Sequence, residues 1–136
     1  MKELELEITT PSKRAYKGLV KSVTLPGTMG SFQALYNHAP ILSSLEVGKI
    51  KIVEENGAEK YFAISGGAVE ILNNKVLVLA DTFESPQEID LERAKKSLER
   101  GKERVASHSK DIDVDRAKAS IARALNRINI YEKYTV

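Results

Sequence analysis

Residues Glu84-Ser85-Pro86-Gln87-Glu88-Ile89-Asp90-Leu91-Glu92-Arg93-Ala94 open a segment whose periodicity differs from everything before it. From there Leu91, Ala94, Leu98, Gly101 and Val105 recur at alternating spacings of three and four, and Val114, Ala117, Ile121, Ala124, Ile128 and Tyr131 do so again. That spacing puts one narrow apolar stripe along each of two helices. The polar break Ser107-His108-Ser109-Lys110-Asp111 is short enough to force them antiparallel, so the stripes close on each other and the other faces stay in water. Arg93 and Arg100 lie two turns apart on the first helix and Arg123 and Arg127 one turn apart on the second, each pair flanking its stripe. A small anion fits between them. On charge pattern alone the bland alternative is favoured, since Glu-Arg and Asp-Arg neighbours on helices ordinarily form solvated ion pairs of small worth. Asp90 and Asp113 are candidate N-caps, while Ser85-Pro86-Gln87-Glu88 offers a competing start with Ser85 as cap and Glu88 closing a capping box.

Upstream the period is two. Leu4, Leu6 and Ile8 alternate with Glu3, Glu5 and Glu7, the pattern of a strand with one buried and one wet face. Further short strands are expected at residues 15–16, 19–25 and 31–35, with Pro26-Gly27-Thr28-Met29-Gly30 as a turn-rich break. Residues 49–54 and 59–64 flank Asn56-Gly57, a strong hairpin signal because both residues tolerate the positive φ of a tight turn. A second hairpin, 68–72 and 75–80, flanks Asn73-Asn74, and Gly66-Gly67 allows a bulge or corner between the two. Many short strands with frequent turns indicate a β-sandwich or barrel. The fold class is therefore α+β, an N-terminal β-sandwich over residues 1–84 followed by a C-terminal antiparallel helical hairpin over 85–136.

Composition narrows the chemistry. The net charge of +2 divides unevenly, with 9 basic and 10 acidic side chains in residues 1–86 against 12 and 9 in residues 87–136. An excess that small, with no aromatics among the basic residues, argues against nucleic acid. There is no cysteine, so disulfides and thiolate metal sites are excluded. The longest apolar runs fall far short of the roughly 20 residues that cross a bilayer. The alternating start Met1-Lys2-Glu3-Leu4 does not read as a signal peptide, and folding in the cytosol is expected. Gly27, Gly30, Gly66 and Gly67 match no phosphate-loop pattern and read as turn residues. His38, Ser43, Ser44 and Asp81 contain the residue types of a hydrolytic set, but no G-x-S-x-G elbow supports His38 or His108 as a base. No His, Asp and Glu cluster has metal-ligand spacing, so neither a catalytic nor a metal site is assigned.

Taken in order, Pro26-Gly27-Thr28-Met29-Gly30, His38-Ala39-Pro40, Gly48, Phe62-Ala63-Ile64-Ser65-Gly66-Gly67-Ala68-Val69-Glu70 and Val78-Leu79-Ala80-Asp81 resemble the β-sandwich signature of one family, the epsilon subunit of the F-type ATP synthase, called delta in mitochondria. Ile89-Asp90-Leu91-Glu92-Arg93-Ala94 is similar to the I-D-x-x-R-A motif associated there with ATP binding. The resemblance spans the whole chain and implies a non-catalytic rotor subunit, peripheral on the cytoplasmic face of a bacterial inner membrane. Its implied partners are the gamma subunit, the c-ring and, with the hairpin extended, the alpha/beta catalytic hexamer, so that membrane contact is indirect. It implies no required cofactor, but ATP as a regulatory ligand of the folded hairpin, held at the positions occupied here by Glu84, Ile89, Asp90, Arg93, Arg100, Arg123 and Arg127. A subunit interface is implied at Ser31, Phe32, Tyr36 and His38. Ser31 stands where the family often has a carboxylate, and Gln33 and Tyr36-Asn37 replace its usual glycine and Pro-Gly or Pro-Asn step. A free-standing β-sandwich adaptor with a nucleotide-responsive helical tail is the alternative function.

Overall fold

Alternation of Leu4, Leu6 and Ile8 with glutamate produces strand β1 (Leu4–Thr9), whose three apolar side chains are buried. The computed structural model describes residues 2–107, 110 and 113–135, and the chain divides into two compact units, Met1–Glu84 and Ser85–Val136. In the first unit β1 is followed by β2 (Arg14–Gly27), β3 (Gly30–Ala34), β4 (Ile41–Glu54), β5 (Glu59–Leu72), β6 (Lys75–Ala80) and β7 (Phe83–Glu84). Because β1 pairs antiparallel with β2 on one side and parallel with β6 on the other, the path β1-β6-β5-β4-β2 returns on itself. The result is a barrel-like β-sandwich with few free edges. Its core is aliphatic, with Leu25, Ile50, Ile52, Ile64, Val69 and Ile71 among the fully buried side chains.

Several strands are longer than the local pattern predicts. The pieces expected at 15–16 and 19–25 are one strand, and the break expected at Pro26 to Gly30 narrows to Thr28 and Met29. Pro26 and Gly27 pair with Ser31 and Gly30 instead. A proline is tolerated there because no ladder bond from its nitrogen is needed. β4 starts at Ile41 rather than near Lys49, its first half held by pairing with residues Gly67 to Ile71 of β5. The two expected strands 59–64 and 68–72 are the single strand β5, which exchanges β7 for β6 as its partner at Gly66-Gly67. Gly67 has φ 147°, and a Cβ there would collide with the Leu79 carbonyl oxygen, so the corner requires glycine. At the β5–β6 turn Asn73 and Asn74 have φ 50° and 62°, the signs of a type I′ hairpin.

One polar cluster ties three strands together. The Tyr16 hydroxyl donates to Glu54 Oε2 at 2.7 Å, and Lys60 Nζ lies 3.2 Å from the same oxygen. Tyr16 meets the Phe62 ring edge-on at 6.1 Å, and Phe62 stacks on Phe83 at 4.5 Å. Burial, aided by the carboxylate, raises the Tyr16 pKa, while the Tyr16 hydroxyl and then Lys60 hold Glu54 below its ordinary value.

In the second unit both candidate helix starts are used. Ser85 opens a 3-10 turn, Pro86–Glu88, with its N–H and hydroxyl donating to Glu88 Oε1 at 3.1 and 2.8 Å. Asp90 then caps α1 (Leu91–Ala106) by accepting from the Arg93 N–H at 3.0 Å, and Asp113 caps α2 (Val114–Tyr134) through Arg116 N–H at 3.1 Å. Of the connection, residues 108, 109, 111 and 112 lie outside the described residues, His108 among them. The seam alternates small side chains with aliphatic ones such as Ile121 and Ile128. Ala94, Gly101, Ala117 and Ala124 are buried, and a Cβ on Gly101 would sit 2.6 Å from Ile121 Cγ1 and 3.5 Å from the Ala117 oxygen. That contact fixes the register and puts Val114 level with the last turn of α1. Val114, expected in the stripe, is consequently exposed, whereas Ile130, outside the stripe, is buried.

Two measurements check these assignments. Glu54→Gln keeps an acceptor for Tyr16 but cannot titrate. The depressed Glu54 pKa contributes stability that is complete above the ordinary carboxylate range and lost as pH falls through the lowered value. Urea unfolding across that acid range should therefore weaken the wild-type chain more than the variant, and equal pH dependence would refute the assignment. Gly101→Leu should cost the hairpin about 2 kcal/mol through overpacking, even after a helix-propensity gain of about 1 kcal/mol. Thermal circular dichroism should show early loss of helix with the β-unit transition unmoved.

Candidate functional site

The hairpin carries six of the chain's seven arginines, Arg93, Arg100 and Arg104 on α1 and Arg116, Arg123 and Arg127 on α2. At about 100° per residue each trio falls in a sector about 40° wide. The two helices run antiparallel with their seams facing, and the sector has the same offset from the seam on each. Both trios therefore turn to the same side of the hairpin. The contact of Gly101 with Ile121 and Ala117 sets Arg93 level with Arg127 and brings Arg100 within about one turn of Arg123. Arg93 and Arg100 are exposed, while Arg123 and Arg127 are half-buried. No carboxylate among the described residues is within ion-pair range of Arg93, Arg100, Arg104, Arg116 or Arg123. The α1 carboxylates Glu92, Glu99 and Glu103 each precede an arginine by one position and so sit about 100° round the helix.

The other expected ligand positions are less uniform. Asp90 is exposed beside Arg93, and its Oδ1 is taken up by the cap. Ile89 is buried at the end of the 3-10 turn and serves as an apolar anchor. Glu84, half-buried in β7 opposite Ala63, belongs to the first unit, as the arginines do not. A cavity of about 450 Å³ on α1 is lined by Glu92, Lys95, Lys96, Glu99 and Arg100, so it takes in only Arg100 of the arginines.

On the first unit, Ser31 and Tyr36 are exposed, and Phe32 and His38 are half-buried with their rings tilted 40° at 6.4 Å. Their loop is locked to the β5–β6 turn. Asn37 N–H donates to Asn74 Oδ1 at 2.6 Å, and Asn74 Nδ2 donates to Asn37 Oδ1 at 3.2 Å. Asn37 has φ 64°, a conformation asparagine tolerates. Sequence reasoning missed the apolar surface beside this loop. Met29 is 98% exposed at the β2–β3 turn, Leu42 is 78% and Leu79 53% exposed, and Leu72 is exposed near them. Leu42 and Leu77 both pair with Glu70, so these leucines share the outer face of β4, β5 and β6. The signal was available: Leu72, Leu77 and Leu79 alternate with the buried Ile71, Val76 and Val78, giving strands apolar on both faces.

Nothing among the described residues assembles for catalysis. His38 Nδ1 lies 2.7 Å from the Ala39 carbonyl, Ser43 donates to the Ser44 carbonyl, and Ser44 shares a hydrogen bond with Thr28. No group of three His, Asp or Glu among them could hold a metal ion, and no helix there is long and apolar enough to cross a membrane.

Comparison with known proteins places this architecture. The beta-sandwich domain of the ATP synthase delta/epsilon chain matches residues 3–86, and the long alpha-helix domain of the same chain matches residues 87–132. The ATP synthase epsilon chain of Anaeromyxobacter sp. (strain K) is 41% identical over 102 residues, covering 75% of this chain and 76% of that one. That of Syntrophomonas wolfei is 38% identical over 128 residues, covering 94% and 93%. A chain of the Euglena gracilis mitochondrial ATP synthase shares the fold with a TM-score of 0.82 at 19% identity, over 91% of this chain and 78% of that one. With a closed β-sandwich and a helical hairpin in the same order and extent, the chain belongs to the ATP synthase delta/epsilon chain family.

Proposed function

We propose that the chain is the epsilon subunit of the central stalk of a bacterial F-type ATP synthase, a non-catalytic rotor part peripheral to the cytoplasmic face of the inner membrane. Two apolar surfaces of the sandwich suit subunit contacts: the outer leucine face of β4, β5 and β6, and the Met29 turn with the loop of Ser31, Phe32, Tyr36 and His38. The gamma subunit and the c-ring are the partners assigned to them. Exposed leucines around a single Glu70 are a surface that a monomer gains little by keeping. Family membership favours this reading over a free-standing adaptor.

The observation that carries the regulatory part is the side of the hairpin on which Arg93, Arg100, Arg123 and Arg127 gather, with no described carboxylate in ion-pair range of Arg93, Arg100 or Arg123. Guanidiniums gathered on one side suit a polyphosphate, each charge-assisted hydrogen bond contributing about 1.5 to 3 kcal/mol before desolvation. ATP bound there, with Asp90 toward the adenine end, would stabilise the folded hairpin. At tenfold excess over its Kd it would shift the balance by about 1.4 kcal/mol, roughly tenfold in population. Released, the hairpin extends along gamma toward the alpha/beta hexamer and blocks ATP hydrolysis. A narrow seam in which small side chains alternate with a few aliphatic ones makes that separation inexpensive.

Arg93→Ala and Arg127→Ala should each weaken ATP binding by roughly tenfold or more, given one charge-assisted bond lost, without changing the β-unit transition. Wild-type affinity in both by calorimetry would remove the nucleotide from the account. Deletion of residues 87–136 should raise ATP hydrolysis by the assembled enzyme, and unchanged hydrolysis would count against the inhibitory role.

A further inference from the structure

The two helices are copies of one pattern. Residues 90–104 and 113–127 share Asp-x-x-Arg-Ala-Lys-x-Ser-x-x-Arg-x-x-x-Arg without a gap, and Leu98 with Ile121, Gly101 with Ala124, and Val105 with Ile128 are like for like. The structure repeats with the sequence. Asp90 and Asp113 cap in the same way, at 3.0 and 3.1 Å, while Ala94 and Ala117, and Gly101 and Ala124, are buried at equivalent points of the seam. Two antiparallel copies of one segment are related by a pseudo-twofold axis through their seam. Arg93, Arg100 and Arg104 correspond under it to Arg116, Arg123 and Arg127.

The arginine side therefore has two ends. At one, Arg93 is level with Arg127. At the other, the register set by Gly101 puts Arg104 level with Arg116, and Arg100 and Arg123 lie between. From Arg93 to Arg104 the row runs about 16 Å along α1, longer than a triphosphate chain. Arg104 and Arg116 are exposed and have no described carboxylate in ion-pair range. The lysines of α1, Lys95, Lys96 and Lys102, lie outside the arginine sector. A surface serving only solubility has no reason to sort arginine from lysine, whereas bidentate recognition of phosphate does.

We propose that the hairpin carries a second phosphate-binding site, built from Arg100, Arg104, Arg116 and Arg123 and related to the nucleotide site by the pseudo-twofold axis. The phosphate ligand class rests on the nucleotide reading above, and the new element is the second end of the row. Arg100 and Arg123 belong to both sites, so separate anions at the two ends compete for them. One linear polyphosphate chain longer than a triphosphate meets all six guanidiniums at once. The hairpin thus accepts long-chain polyphosphate as well as a nucleotide, and either stabilises its folded form.

Calorimetric titration of the full chain at fixed ionic strength, with ATP and with long-chain inorganic polyphosphate, tests this. The double variant Arg104→Gln/Arg116→Gln should weaken polyphosphate binding by about a hundredfold and ATP binding by less than about twofold, since each lost guanidinium removes a charge-assisted bond. Arg104→Lys/Arg116→Lys should resemble the glutamine variant more than the wild type, because lysine keeps the charge and loses the fork. Circular dichroism should be unchanged in both, as the side chains are exposed. Polyphosphate affinity unaffected by the glutamine pair, or fully restored by the lysine pair, would overturn the second site. Unchanged ATP affinity in Arg93→Gln/Arg127→Gln would instead overturn the nucleotide reading, leaving the polyphosphate titration to decide this one.

Discussion

The close approach of α1 and α2 at Gly101 governs the second unit. With Ile121 Cγ1 only 2.6 Å from where a Cβ would stand, Ile121 seats on Gly101 and the helices take one register. That register aligns Arg93 with Arg127 and Arg104 with Arg116, and it puts Val114 at the end of the seam, level with the last turn of α1. A wider spacing would hold the same charges on the same helices but would not bring the two trios onto one narrow face. The seam therefore does for the arginines what a sheet does for residues on neighbouring strands, converting two spacings along the chain into one surface.

The same contact limits how firmly the hairpin holds. The helices bury few side chains, chiefly alanines with Ile128 and Ile130, and at about 25 cal/mol per Å² the gain is small beside that of the β-unit, whose core holds large aliphatic side chains such as Leu4, Leu25, Ile50, Ile52 and Ile71 almost fully shielded from water. Closure of the ring by β1 leaves that unit few unpaired edges. Under the proposed regulation, a modest ligand energy would move the less stable unit and spare the other.

The elements whose signals are local were readable along the chain. Leu4, Leu6 and Ile8 marked β1, Asn56-Gly57 and Asn73-Asn74 marked turns through their tolerance of positive φ, and Gly66-Gly67 marked the corner in β5. Strand extent was not local. Ser43 and Ser44 hid the first half of β4, which exists because β5 offers a partner, and Pro26 passed for a turn because its pairing with Ser31 is invisible in one dimension. The outer leucines of β5 and β6 were present in the pattern but were not singled out, since alternation tells which residues share a face and not which face is covered.

By itself the sequence determined the order of a β-sandwich and a helical hairpin, the caps at Asp90 and Asp113, and the arginine spacing on each helix, because these depend on periodicity and on side chains reaching only a few residues away. Tertiary structure decided the closure of the ring through β1, the exposure of Met29 and Leu42, and the level at which one helix meets the other. Each of these depends on a pairing between distant segments, set by how side-chain volumes fit across an interface, and no local periodicity encodes that fit.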